Sequence, residues 1–75
     1  MQAREQDLTQ VVDAILRYLD SHPDAADTVE GITKWWLPAA WCVDIRTAQS
    51  ALARLEKQGL VHRRIHADQH VLYSR

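Results

Sequence analysis

Hydrophobic residues recur at helical spacing in two long stretches of the chain. In residues 7–20 they lie at i, i+3, i+4 and i+7 and form a broad apolar face, with the charged residues mostly outside it. In residues 44–58 a narrower apolar stripe from Ile45 to Leu55 runs opposite a polar ridge. Between residues 60 and 74 the pattern changes to short segments rich in β-branched and aromatic residues. The pattern therefore predicts two amphipathic helices followed by a β-hairpin.

The helix over residues 44–58 carries its own start and stop signals. Asp44 is an N-cap candidate, because its carboxylate can accept hydrogen bonds from the unpaired N–H groups of the first turn. Gly59 stands where a left-handed residue ends a helix, and Leu60 can then cover Leu55, as in a Schellman motif. We therefore expect both ends of this helix to be set by local sequence.

A further helix is predicted between these two. It begins at Asp27 or Thr28, since Asp27 with Glu30 three residues later resembles a capping box. Val29, Ile32 and Trp36 share one side of it. Pro38 ends this helix near Trp36, because a proline disfavours helical conformation in the residue before it.

The link over residues 37–43 is the least ordinary segment. Its Pro-Ala-Ala-Trp sequence predicts a single helical turn with Pro38 at the first position. Trp41 and Val43 would then close over the core. Core packing is the default interpretation for Trp35, Trp36 and Trp41, but three tryptophans within seven residues are hard to bury together. The alternative places at least one at the surface as a protein-contact anchor, a position in which tryptophan is enriched.

The hairpin is predicted from strands at residues 60–65 and 71–74. The residues between them lack the Asn-Gly or Asp-Gly pair of the commonest tight turns, so the register stays open. His62, His66 and His70 repeat every four residues, but that spacing has no special meaning in strands. We therefore predict neither a metal site nor a cofactor.

Composition limits the classes of protein that remain. Seventy-five residues predict one domain spanning 1–75, with residues 1–6 disordered. One cysteine and a polar, signal-free start favour a cytoplasmic protein, and no apolar run is long enough for a membrane span. Glycine-rich phosphate loops and nucleophile–base pairs are both lacking, so we expect neither an enzyme nor a small-molecule substrate.

Charge is distributed unevenly along the chain. Residues 1–43 carry three Lys or Arg against seven Asp or Glu, whereas residues 44–75 carry six against three. A basic half in a nearly neutral chain indicates a surface for a polyanion. The alternative is chance, because an imbalance of this size is not rare among so few charges.

The sequence from Asp44 to Val61 resembles a known motif. Asp44 and Thr47, followed by Leu-x-x-Leu-Glu-Lys-x-Gly-Leu-Val over residues 52–61, look like the recognition helix and wing entry of MarR-like and GntR-like bacterial transcription regulators. The resemblance implies a mainly α fold with a small β-hairpin, a three-helix winged helix-turn-helix. The link before Asp44 is longer than the tight turn of that motif.

The resemblance implies sequence-specific binding of double-stranded DNA, with helix 44–58 in the major groove and hairpin 61–74 as the wing. Arg46 is suited to guanine and Gln49 to adenine, while Arg54 and Lys57 suit phosphates. The alternative for the ridge is an ordinary solvated helix face. The candidate DNA-binding residues are Arg46, Thr47, Gln49, Ser50, Arg54, Lys57, Arg63 and Arg64.

A second functional hypothesis is a winged-helix protein-interaction module. It uses the tryptophan-rich link over residues 35–43, with Trp36 and Trp41 as partner contacts. The acidic first half of the chain supports this hypothesis. The partner would be another protein or a second copy of this chain.

Overall fold

The computed structural model describes residues 8–75. The predicted disorder of residues 1–6 and the predicted helix start at Asp7 lie outside this part of the chain. Three helices and a small antiparallel sheet make up the fold, which confirms a mainly α architecture with a β-hairpin. In chain order the elements are α1 (Leu8–Ser21), β1 (Ala26–Asp27), α2 (Val29–Gly31) continuing as a π-helical segment (Ile32–Trp36), a 3-10 turn (Ala39–Trp41), α3 (Ile45–Lys57), β2 (His62–Ile65) and β3 (Val71–Ser74).

The core lies where α1 and α3 pack together, with the π segment and the start of the hairpin closing it. Helix α1 contributes the i, i+4, i+8 positions of its apolar face, Val11, Ile15 and Leu19. Each of these side chains is at least 98% buried, as expected for a helix of this amphipathicity. The other members of the buried cluster are Ile32, Trp36, Leu37, Ala51, Leu52, Leu55 and Val61.

The second helix begins at Thr28, not at Asp27. The Thr28 hydroxyl oxygen accepts a hydrogen bond from the Gly31 N–H at 3.1 Å, which makes Thr28 the N-cap. Asp27 Oδ1 instead accepts from the Thr28 N–H at 2.8 Å. The predicted capping box of Asp27 and Glu30 is therefore wrong. A Cβ at Gly31 would overlap the Asp27 carboxylate, so a larger residue there would displace that side chain.

After Gly31 the helix widens into a π-helical turn, which the sequence pattern did not predict. Within this turn Ile32 is fully buried and Trp36 is 6% exposed. The indole of Trp36 stacks on the Tyr18 ring of α1, with centroids 4.8 Å apart and planes 10° apart. Helical structure ends at Trp36, as predicted from Pro38.

The link forms the predicted single turn, in a slightly different register. Pro38 is the N-cap of the 3-10 turn and not its first helical residue. The Pro38 carbonyl accepts from the Trp41 N–H at 3.0 Å. Cys42 then takes a left-handed conformation with φ 50°, and Val43 packs against the core.

Helix α3 begins and ends as its sequence predicts. Asp44 Oδ1 accepts from the Thr47 N–H at 2.8 Å, which confirms the N-cap. At the other end Gly59 has φ 78°, the Leu60 N–H donates to the Leu55 carbonyl at 2.9 Å, and the Gly59 N–H donates to the Glu56 carbonyl at 3.0 Å. These two hydrogen bonds are those of a Schellman motif.

The sheet contains the predicted hairpin and one strand that was not predicted. Strand β3 lies in the middle and pairs antiparallel with both β1 and β2. Arg63 stands opposite Tyr73, and Arg64 opposite Leu72. Because Tyr73 packs against the core, its neighbour Arg63 lies on the helix-facing side of the sheet, and Arg64 lies on the outer side.

Candidate nucleic-acid interface

One face of α3 is exposed along its whole length and carries no carboxylate. The helix buries Ala48, Ala51, Leu52 and Leu55 against the core, which turns the remaining positions outward. The acid of the helix, Glu56, borders this face two turns after Gln49; it is partly exposed, and its Oε2 lies 3.6 Å from Arg63 Nε. We call this face the α3 ridge; its exposed members are Arg46, Gln49, Ser50, Ala53, Arg54 and Lys57.

The cations of the α3 ridge are available to an external anion. Arg54 and Lys57 have no ion-pair partner within residues 8–75. Both lie in the last turn, where cations also interact favourably with the negative end of the helix dipole. The interaction with the helix dipole is enough to explain the position of these two cations. Because both are exposed, their charges also remain accessible to an external anion.

At its N-terminal end the ridge is shaped by the Asp44 cap. The hydrogen bond from the Thr47 N–H lowers the pKa of the Asp44 carboxyl below its usual 3.8. The Thr47 side chain and the positive charge of Arg46 lower the pKa further. Thr47 is half-buried and is engaged in capping, which leaves Arg46 as the exposed group of the first turn.

The two arginines of β2 make different contacts, although the sequence alone gives no reason to expect a difference between them. Arg63 Nε lies 3.6 Å from Glu56 Oε2, so its guanidinium is directed toward α3. Arg64 is exposed on the outer side of the sheet and has no ion-pair partner in the described part of the chain. The structure therefore brings Arg63 to α3 and leaves Arg64 apart from it.

The three tryptophans occupy three different environments. Trp36 is a core residue with 6% of its surface exposed, so almost none of it is left for a partner. Trp41 is half-buried on the link. Trp35 is 73% exposed, although it was not among the predicted partner contacts. The sequence did contain a signal for the exposure of Trp35, because this residue lies beside the apolar side of the second helix and not on it.

Residues 8–75 provide neither a metal cluster nor a membrane-spanning helix. In this range no three side chains among His, Cys, Asp and Glu come together as ligands for a metal ion. His70 Nδ1 is 3.4 Å from Asp68 Oδ2, a local contact within the turn. Among the helices described, none combines the length and apolar character needed to cross a bilayer.

Comparison with protein-family models, with curated proteins and with solved structures gives no match for this chain. The chemistry of the interface therefore rests on its own residues and their geometry.

Proposed function

We propose that this chain binds double-stranded DNA as a small winged helix-turn-helix transcription regulator. In this proposal α3 enters the major groove and the β2–β3 hairpin acts as the wing. The element order of helix, strand, helix, helix and two paired strands supports the proposal, because it brings a hairpin directly after the exposed helix.

The observation that carries the proposal is the α3 ridge. It combines cations with amide and hydroxyl groups, and the carboxylate that borders it, Glu56, is paired with Arg63, whereas an ordinary solvated helix face mixes both signs of charge. From Arg46 to Lys57 the ridge extends about 16 Å at 1.5 Å per residue. An α-helix with its side chains is about 10–12 Å in diameter, which fits a major groove about 12 Å wide.

Roles within the ridge follow from chemistry and position. Arg46 and Gln49, near the N-terminal end, match the donors and acceptors of guanine and adenine. Ser50 is small enough to let the backbone approach the bases. Arg54 and Lys57 suit phosphates, which are contacted by point charges without reading sequence.

The wing contributes through its free arginine. Arg64 is exposed and unpaired within the described residues, so it supplies the phosphate contact expected of the hairpin. Arg63 forms a partly exposed ion pair with Glu56, which directs its guanidinium toward α3. Among the predicted DNA contacts, we therefore assign Arg63 to this ion pair and Arg64 to phosphate.

Fluorescence anisotropy with labelled duplexes tests the proposal. At low ionic strength we expect salt-dependent binding, and an enriched site after selection from a random library. Arg46→Ala should relax sequence preference, because a lost bidentate base contact costs about 1–3 kcal/mol of discrimination. Lys57→Ala should weaken binding to all duplexes alike and reduce the salt slope by about one.

The matched control is Arg17→Ala, which removes the same charge as Arg54→Ala from the exposed side of α1. It should leave DNA affinity almost unchanged, whereas Arg54→Ala weakens it. Equal losses for the two variants, or no duplex binding at low salt, would overturn the proposal.

A protein-interaction module is the second candidate, and the exposure of Trp35 favours it. An indole that is 73% exposed is an unusual surface group and a common anchor in protein interfaces. If this function holds instead, Trp35→Ala abolishes capture of a partner while the variants of the α3 ridge retain it.

A further inference from the structure

Strand β2 lies at the edge of the sheet, so only one of its two sides is paired. In the order β1-β3-β2, β3 pairs with β2 on one side, and no strand among residues 8–75 pairs with the other. Every residue of β2, from His62 to Ile65, is exposed. An open edge of this kind is a template on which an extended segment of another chain can add a strand.

The hairpin register identifies the backbone groups on this open side. The His66 N–H donates to the His70 carbonyl at 2.9 Å, which marks a hydrogen-bonded position of the ladder. Hydrogen-bonded and non-hydrogen-bonded pairs alternate along antiparallel strands, so Arg63 and Ile65 belong to non-hydrogen-bonded pairs with β3. Their N–H and C=O groups therefore point away from β3, and none of these groups has a hydrogen-bond partner within residues 8–75. These two donors and two acceptors, about 7 Å apart along the strand, form what we call the β2 edge.

Side chains beside the β2 edge select the charge of a partner. The strand sequence is His-Arg-Arg-Ile, which contains no carboxylate. Arg64 stands on the outer side of the sheet, is exposed and has no ion-pair partner in the described part of the chain. On the helix-facing side, the Ile65 side chain is 73% exposed. A strand added here meets a positive charge on one face and an apolar group on the other.

We propose that the β2 edge binds an extended acidic segment of a partner protein, which adds antiparallel to the sheet as a further strand. In this arrangement the residue opposite Arg64 is acidic and the residue opposite Ile65 is apolar. Arg64 forms a non-hydrogen-bonded pair with the added strand, and in such pairs the facing side chains come closest. An acid there completes an opposite-charge pair across the strands. The interaction does not require DNA binding, although Arg64 serves both surfaces.

A second copy of this chain fits the β2 edge poorly. Antiparallel pairing of β2 with its own copy, centred on Arg63 or Arg64, places like charges directly opposite each other, which is destabilising. Cationic side chains on an edge strand guard against self-pairing of this kind. The same charges attract a strand that carries carboxylates, so the occupant is a strand of opposite charge.

Titration of the whole chain with a synthetic peptide, followed by two-dimensional ¹H–¹⁵N NMR, tests the proposal. The probe is the acetylated and amidated peptide Thr-Ile-Glu-Thr-Glu-Thr, and the control peptide has lysine in place of both glutamates. We expect the backbone N–H signals of Arg63 and Ile65 to shift most and their hydrogen exchange to slow, because these groups gain acceptors. The N–H signals of His62 and Arg64 face β3 and should shift less. For so short a peptide we expect a Kd on the order of 1 mM.

Variants of β2 separate the charge contribution from the backbone contribution. Arg64→Ala should weaken binding of the acidic peptide about two- to fivefold, whereas Arg17→Ala, which removes the same charge from the exposed side of α1, should leave it unchanged. Ile65→Pro removes an outward N–H and should weaken binding about fivefold beyond Ile65→Ala, which removes only side-chain atoms. A circular dichroism melt of each variant establishes that it is folded.

The proposal is overturned if the lysine peptide binds as tightly as the glutamate peptide, or if the N–H shifts of Arg63 and Ile65 do not exceed those of His62 and Arg64. Shifts of the same signals that depend on protein concentration without peptide would make a second copy the occupant, which also overturns it. If Ile65→Pro unfolds the chain, the pattern of N–H shifts and the comparison of Arg64→Ala with Arg17→Ala still decide the outcome.

Discussion

Helix α3 and the helix over residues 29–36 start alike and continue differently. Both begin at an N-cap whose side chain accepts a backbone hydrogen bond, Asp44 in one and Thr28 in the other. Thereafter α3 stays regular for 13 residues, whereas the second helix is α-helical for three residues and π-helical for five. The first turn of each helix is therefore locally determined, and the geometry of its later turns depends on the surface against which the helix packs.

Packing explains the contrast. Helix α3 keeps one apolar stripe against the core and one exposed ridge, and a regular α-helix satisfies both. The second helix is short, its Gly31 accommodates the Asp27 carboxylate, and its last turn places Trp36 against Tyr18. The π-helical turn coincides with the residues that place Ile32 and Trp36 in the core.

The largest expected effect tests whether both helices belong to one core. Ile32→Ala and Leu52→Ala should each lower the free energy of unfolding by about 2–5 kcal/mol, since both side chains are fully buried. Urea denaturation followed by circular dichroism gives the values, with Gln49→Ala on the α3 ridge as the exposed control. A loss below about 1 kcal/mol for Ile32→Ala would show that the second helix is not part of the core that Leu52 stabilises.

A smaller effect tests the close approach at Gly31. Alanine there gains helix propensity but forces the Asp27 carboxylate away from the Thr28 N–H. Gly31→Ala should therefore be more favourable in an Asp27→Ala background than in the natural chain, by about 1 kcal/mol. A double-mutant cycle of unfolding free energies measures the difference. Strict additivity would mean that the carboxylate does not determine the residue at this position.

The smallest effect separates the two caps by their chemistry. The lowered pKa of Asp44 means that its contribution to stability is complete above the unfolded value near 3.8 and is lost as the pH falls through the folded value. The Asp44→Asn substitution leaves a cap that does not titrate, so the melting temperatures of this variant and of the natural chain should converge between about pH 5 and the acid limit. Thr28→Ala should instead cost about 1 kcal/mol at every pH, because a hydroxyl does not titrate in this range. If the melting temperatures of Asp44→Asn and of the natural chain changed in parallel with pH, the Asp44 carboxylate would not be the titrating cap.

Local signals account for the parts of the fold that the sequence predicted. The cap at Asp44, the Schellman end at Gly59 and the stop before Pro38 each depend on residues within one or two turns. Strand β1 was missed because Ala26 and Asp27 have no strand propensity of their own. They are extended because Ser74 and Tyr73 lie beside them, and pairing between distant residues leaves no local pattern.

The candidate sites also include features that local sequence predicts and features that depend on contacts between distant residues. Periodicity alone placed the ridge residues Arg46, Gln49 and Lys57 on the exposed side of α3. The ion pair between Arg63 and Glu56 requires the turn of chain that brings β2 back along α3, so the two arginines of β2 could not be told apart. A surface groove between α1 and the link is lined by Tyr18, Trp36 and Trp41, and no spacing in the sequence indicates it.

The central position of β3 has a kinetic consequence. Pairing Ala26 with Ser74 closes a loop of about 48 residues, which costs about 3–4 kcal/mol of chain entropy, and the strand β1 is only two residues long. Helices α1 and α3 need no such closure to form their turns. We therefore expect the rate-limiting step of folding to assemble the helices first, with β1 joining the sheet afterwards and substitutions at Ala26 altering mainly the rate of unfolding.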